Sequence, residues 1–144
     1  MTVTAAEPGT TKRSGRLARW LLVVWTVGIW GSRARNIVED DEAMFAEQLR
    51  SFLVAGVLIA LAVGLAATMV RKSTWHFPVL SLLIAGGVFR FGVRGTQILL
   101  DPQWDVGFKV VHTVLWAVTV LLSALAAREY WKASGASSIR ELLA

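Results

Sequence analysis

The residues of this chain best suited to chemistry lie between Gly86 and Trp116. They are Arg90, Arg94, Gln97, Asp101, Asp105, Lys109 and His112, set in an otherwise apolar background. An ionisable group at membrane depth is costly and marks a functional position by default. Arg90, Arg94, Gln97 and Asp101 are spaced by four, three and four residues, so on a helix they form a narrow stripe. Asp105, Lys109, His112, Trp116, Thr119 and Ser123 repeat the rhythm. On adjacent antiparallel helices the two stripes are expected to face each other or a shared cavity. Arg94 and His112 each lie about 10 Å along their helices from the turn, hence at similar depth. Arg90, about 16 Å in, approaches the bilayer midplane, where Trp116 is expected to offer its ring face as a cation–π partner.

Arg90, Arg94 and Lys109 are three cations with no acid at equal depth, and in low dielectric they repel strongly. Compensation could come from the acids of the Glu39–Glu47 segment or Asp105, from an anion or lipid phosphate, or from a partner protein's acid. For Lys109, near the outer edge, snorkelling to water suffices. Arg94 is expected to point into the bundle and take a carboxylate of the same chain, because its planar fork suits two parallel hydrogen bonds. The candidate binding set is therefore Arg90, Arg94, Gln97, Lys109 and His112. His112 reads first as a satisfied imidazole, ahead of a proton relay or ligand.

Catalytic signatures are missing from the sequence. There is no Cys, which removes thiolate nucleophiles, disulfides, iron–sulfur clusters and thiolate zinc sites. No GxSxG, HExxH or Walker loop occurs. His76 and His112 belong to opposite ends of the expected bundle and cannot grip one haem iron. No catalytic residue, metal or cofactor is expected, although Arg90, Arg94 and His112 could in principle serve a phosphate ester.

The elements that must position these residues are hydrophobic spans. Of 144 residues 55% are hydrophobic, with seven Trp and a net charge of +5, and the mean hydropathy is +0.55. The expected fold is all-α, a transmembrane four-helix bundle with a tight hairpin between the last two spans. Spans are expected at about 15–32, 49–70, 79–100 and 104–127 within a membrane domain 15–132, between a disordered cytoplasmic tail at 1–14 and a short cytoplasmic tail at 133–144. The first apolar run, Leu17 to Trp30, is short, and Arg19 is expected to snorkel to the interface. A cleaved signal peptide ending near Ala34 is the rival reading, opposed by the Trp residues and Arg33 around that site. Glu39, Asp40, Asp41, Glu42 and Glu47 suit a helix start, so the second helix is expected from Asp41 through Val70. On it Gly56, Ala60 and Gly64 make a small-residue ridge expected to pack against another helix of the chain. Pro78 is expected at the first position of the third helix, and Asp101-Pro102 as N-cap and first residue of the fourth. Gly135 is expected to stop that helix, and Ser138 with Glu141 has capping-box spacing for a short surface helix.

Lys and Arg mark the cytoplasmic side. Nine of them (Lys12, Arg13, Arg16, Arg19, Arg71, Lys72, Arg128, Lys132 and Arg140) fall on one side of the four-span topology, against three (Arg33, Arg35 and Arg50) on the other. Both termini are thus expected in the cytoplasm and the protein in the plasma membrane. Trp20, Trp75 and Trp131 are expected in the inner aromatic belt, and Trp30 and Trp104 in the outer one.

Phe91 to Leu100 followed by Gly107 to Thr113 resembles the closing hairpin of small four-span membrane proteins of actinobacterial type, and Val27 to Arg33 resembles their first span. The resemblance covers about two-thirds of the chain. It implies a four-span bundle and carries no assigned activity. The leading functional expectation is a non-enzymatic accessory subunit with the lipid bilayer, a membrane protein or a second copy as partner, and no nucleic acid. The next is binding or transport of an anion or lipid phosphate in an outward-facing cationic pocket at Arg90, Arg94 and Lys109.

Overall fold

The computed structural model describes residues 16–38 and 45–142. The expected disordered tail at 1–14 and the acids Glu39 to Glu42 lie outside the described residues. Four helices follow in order: α1 Leu17–Val38, α2 Phe45–Arg71, α3 His76–Leu100 and α4 Val106–Leu142. The chain is an all-α four-helix bundle, as the hydrophobic runs require. Gln48–Arg71, His76–Leu100 and Val106–Gly135 are long and apolar enough to cross a membrane. α1 carries Arg19, Arg33 and Arg35 and falls short on composition.

Named contacts give the packing order. α1 touches α2 and α4, and α3 closes the ring between α2 and α4. α1 and α4 run antiparallel, since Ala18 meets Glu129 while Trp25 meets Thr119. α2 and α3 do the same: Thr68 meets His76, and a Cβ on Gly86 would lie 3.2 Å from Leu58. Leu22, Val23, Leu58, Ala62, Leu65, Leu80, Leu83 and Ala126 fill the core. Every helix also presents large apolar side chains outward, among them Val24 on α1, Leu53 on α2, Phe89 on α3 and Leu121 on α4. Apolar surface on all sides of a bundle suits hydrocarbon as solvent.

The ends depart from the sequence reading in several places. α3 begins at His76 with Trp75 as N-cap, so Pro78 is its third residue rather than its first. A proline there still removes only an orphan donor of the first turn. Asp105, not Asp101, caps α4: its Oδ1 accepts the Phe108 amide at 2.9 Å. Asp101 instead closes α3, donating its amide to the Gln97 carbonyl, while its carboxylate accepts the Gln103 amide at 3.0 Å. The intervening Pro102 lies in the turn. Gly135 does not stop α4, which runs unbroken for 37 residues, so no separate surface helix forms at Ser138. A single glycine costs a helix about 1 kcal/mol, too little to end one in the absence of a competing cap.

Trp30 was expected in the outer belt but is a core residue, 8% exposed and edge-on to Phe91 at 5.7 Å. The Gly56 ridge also faces the other way. Gly56 and Ala60 are exposed, nothing lies within 4 Å of a Cβ on Gly56, and only Gly64 approaches a neighbour, Val79. The face of α2 that packs is Ala55, Leu58, Ala62, Leu65 and Met69. These larger groups bury more apolar area than a Gly/Ala ridge could.

Candidate functional sites at the two ends of the bundle

The described polar network with most partners lies at the end of the bundle that holds the starts of α1 and α3, where all four helices meet. Arg19 of α1 is 8% exposed despite its charge. It does not snorkel outward. Its Nε lies 3.7 Å from Glu129 Oε2 on α4, and Nη1 donates to His76 Nε2 on α3 at 2.9 Å. A guanidinium only donates, so Nε2 accepts and the ring proton sits on Nδ1. Nδ1 then donates to Thr68 Oγ1 of α2 at 3.1 Å, and Thr68 passes its own proton to the Leu65 carbonyl at 2.8 Å. Both ring nitrogens of His76 make these bonds only if the imidazole is neutral. Glu129 Oε1 accepts the Ala18 amide, one of the orphan donors at the start of α1. The Tyr130 ring stacks on His76 and Phe77 with centroids 5.8 Å and 5.2 Å away.

A second polar contact sits deeper. Trp25 Nε1 donates to Thr119 Oγ1 at 3.0 Å, and Thr119 donates to the Leu115 carbonyl. The neighbouring cavity among Leu22, Thr26, Leu83, Thr119 and Ser123 has room for at most a water molecule. It does not suit a ligand.

The opposite end, at the α3–α4 turn, carries the predicted set, rearranged. Arg94 is exposed and donates to Gln97 Oε1 at 3.4 Å. It was expected to point inward to a carboxylate of this chain; among the described residues its hydrogen-bond partner is Gln97, while Glu39 to Glu42 and the Glu47 side chain, its expected carboxylates besides Asp105, lie outside the described residues. Asp101 accepts the backbone and side-chain amides of Gln103, and Asp105 accepts the Phe108 amide. The two stripes do not meet. α3 turns Gly87 and Gly92 toward Thr119 and Trp116 of α4, while Arg94 is exposed and Arg90 partly so. Trp116 thus lies over Gly92, not over Arg90. Lys109 and His112 remain on α4. His112 Nδ1 bonds the Phe108 carbonyl at 2.9 Å, and its ring continues a ladder with Phe108 and Trp104, whose centroids are 4.0 Å and 4.3 Å apart in turn.

Arg90 has other company. Arg50, Arg94 and Arg33 lie near enough to act on its charge, in that order. Helix arithmetic agrees. Trp30 touches Phe91, and Arg33 and Arg94 each follow by three residues, about 4.5 Å outward on parallel helices. Gly86 approaches Leu58, and Arg94 and Arg50 each lie eight residues further out, about 12 Å. Arg33, Arg50 and Arg94 therefore share one level on α1, α2 and α3, with Arg90 one turn beneath.

The sequence reading missed both groupings. Arg19 with Glu129 was legible as opposite charges near the same end of an up-down bundle. The arginine level requires the register of α1 and α2 against α3, which spacing within one helix does not contain. No family model, curated protein or solved structure matches the chain.

Proposed function

We propose that this is a four-span integral protein of the plasma membrane, both termini cytoplasmic, that binds a phosphate-class anion at the arginine cluster of its outer half. The supporting observation is the cluster itself: Arg33, Arg50, Arg90 and Arg94 from three helices, with a neutral amide, Gln97, as the described hydrogen-bond partner of Arg94. Like charges gathered in a medium of low dielectric demand a counter-charge, and arginine's fork matches a tetrahedral oxyanion. Support for α1 as the fourth span is that Arg19, its most awkward residue, is compensated by Glu129.

Inorganic phosphate titrated into the protein in mild detergent tests this reading. The native chain should gain thermal stability at constant ionic strength, and the Arg90→Gln/Arg94→Gln variant should not. An equal response from both removes the proposal. An accessory subunit is the second reading, favoured by the same gathering of positive charge: a partner's carboxylate would fill the cluster, and a defined partner would co-purify with the native chain and be lost from the double variant.

A further inference from the structure

We infer that one water molecule is bound between α1 and α4 at membrane depth, held by the hydroxyls of Ser123, Thr26 and Thr119, and that it ties α1 into the bundle. Nothing in this depends on the anion reading. The observation that carries it is Ser123. The residue is 4% exposed, and its Oγ has no hydrogen-bond partner among the described residues. A buried hydroxyl without a partner is rare. A serine inside a helix has the carbonyl four residues earlier within reach, the bond that Thr119 makes to Leu115 at 2.8 Å. Ser123 makes no such bond and instead lines the cavity, which has room for one water.

A bound water needs two to four polar partners. Thr26 of α1 and Thr119 of α4, both buried, line the same cavity. Thr119 Oγ1 accepts the Trp25 indole at 3.0 Å and gives its own proton to Leu115, so one lone pair remains for the water. Ser123 and Thr26 each bring an O–H and acceptor capacity. Other walls, Leu22, Leu83 and Phe91 among them, are apolar. Thr26 follows Arg19 by seven residues and Ser123 precedes Glu129 by six, which sets the site about 10 Å along the helices from the ion pair. In hydrocarbon at that depth no bulk water satisfies a stray hydroxyl. The site thus continues a row of polar contacts between α1 and α4, after Arg19 with Glu129 and Trp25 with Thr119.

Thermal unfolding of the full chain in mild detergent, arranged as a double-variant cycle, tests the inference. Ser123→Ala should lower the unfolding temperature by about 2–4 °C, the scale of one lost hydrogen bond in a chain of this size. Thr26→Val, which keeps the shape, should lower it similarly. The double variant should lose no more than the larger single effect, because the two hydroxyls share one water. Far-UV circular dichroism checks that all three are folded. A second arm uses protein labelled with 15N-tryptophan, its Trp25 indole signal assigned through Trp25→Phe. The native chain should show a cross-peak from water to that indole proton, and the peak should weaken in Ser123→Val, which fills the cavity and leaves the Trp25–Thr119 bond in place. A cross-peak unchanged in Ser123→Val would come from the Thr119 hydroxyl alone and would overturn the inference. So would a rise in unfolding temperature on Ser123→Ala, the result of removing an orphaned hydroxyl from a dry cavity. Additive losses in the cycle would overturn it as well, since they mean two independent hydroxyls.

Discussion

Arg19 Nη1 and His76 Nε2 lie 2.9 Å apart, joining the start of α1 to the start of α3 across one end of the bundle. Only a neutral imidazole can accept this bond. A proton on His76 would set donor against donor and cation against cation, with Glu129 on the far side of Arg19 and the exposed Arg16 adding further positive charge nearby. Burial first, then Arg19 and Arg16, hold His76 below the ordinary imidazole value of 6.5, so the bond is present at neutral pH and above and its contribution is lost as pH falls below that value. Unfolding in detergent over that range should reveal decreasing stability for the native chain. His76→Gln, which keeps an acceptor and a donor but does not titrate there, should flatten the profile. An unchanged profile in the variant would assign the pH dependence to another group.

The Arg19–Glu129 pair should be stabilising when intact and damaging when broken. Removing one member of a buried pair costs roughly 3–5 kcal/mol. Arg19→Ala and Glu129→Ala should each approach that cost, and the double variant should lose clearly less than their sum. Arg94→Ala should change stability by less than about 0.5 kcal/mol, as at an exposed site away from strong contacts. This order reverses what the polar stripe of α3 suggests on its own. Additive losses at 19 and 129, or a large loss at 94, would contradict it.

Glycine positions on α2 should separate cleanly. Gly56→Leu adds a side chain to open surroundings and should leave the unfolding temperature in detergent unchanged. Gly64→Leu drives the same side chain toward Val79, and overpacking of this kind costs roughly 1–3 kcal/mol. Equal tolerance at both would mean that α2 is rotated relative to the packing described.

Lys72 follows α2 with φ of 51°, in the left-handed region that favours glycine. The Ser73 amide closes the helix end on the Thr68 carbonyl. Lys72→Gly should therefore stabilise the fold by roughly 1 kcal/mol, since the β-carbon penalty disappears. A loss of that size would show that the lysine side chain contributes more than its backbone costs.

The proposed topology is checked by labelling. A lone cysteine replacing Gln103 should react with an impermeant thiol reagent in intact cells, and one replacing Thr74 should not; both positions are exposed. The native chain contributes no thiol background. Labelling at 74 with protection at 103 would invert the orientation.

The number of helices and their approximate ends were legible because long apolar runs leave the backbone few alternatives in hydrocarbon. Which side of each helix faces inward was not. On α2 the Gly56–Ala60–Gly64 ridge and the Leu58–Ala62–Leu65 face are both helical stripes, and only the shape of the neighbours decides between them. The same ambiguity defeated Arg94, whose stripe on α3 is real but leaves the guanidinium exposed. Arg19 was misjudged for a different reason. A lone arginine near a span's end ordinarily reaches water, and its burial depends on Glu129, 110 residues away in the chain.

α4 runs 37 residues without a break, about 55 Å, whereas the hydrocarbon layer is about 30 Å. The surplus makes it a shaft rather than a simple span. Its first turn is fixed by the Asp105 cap, its middle by Trp25 and the region of Glu129 by Arg19. A helix has no internal joint, so these three anchors, on one rod, hold the two ends of the bundle in a single register.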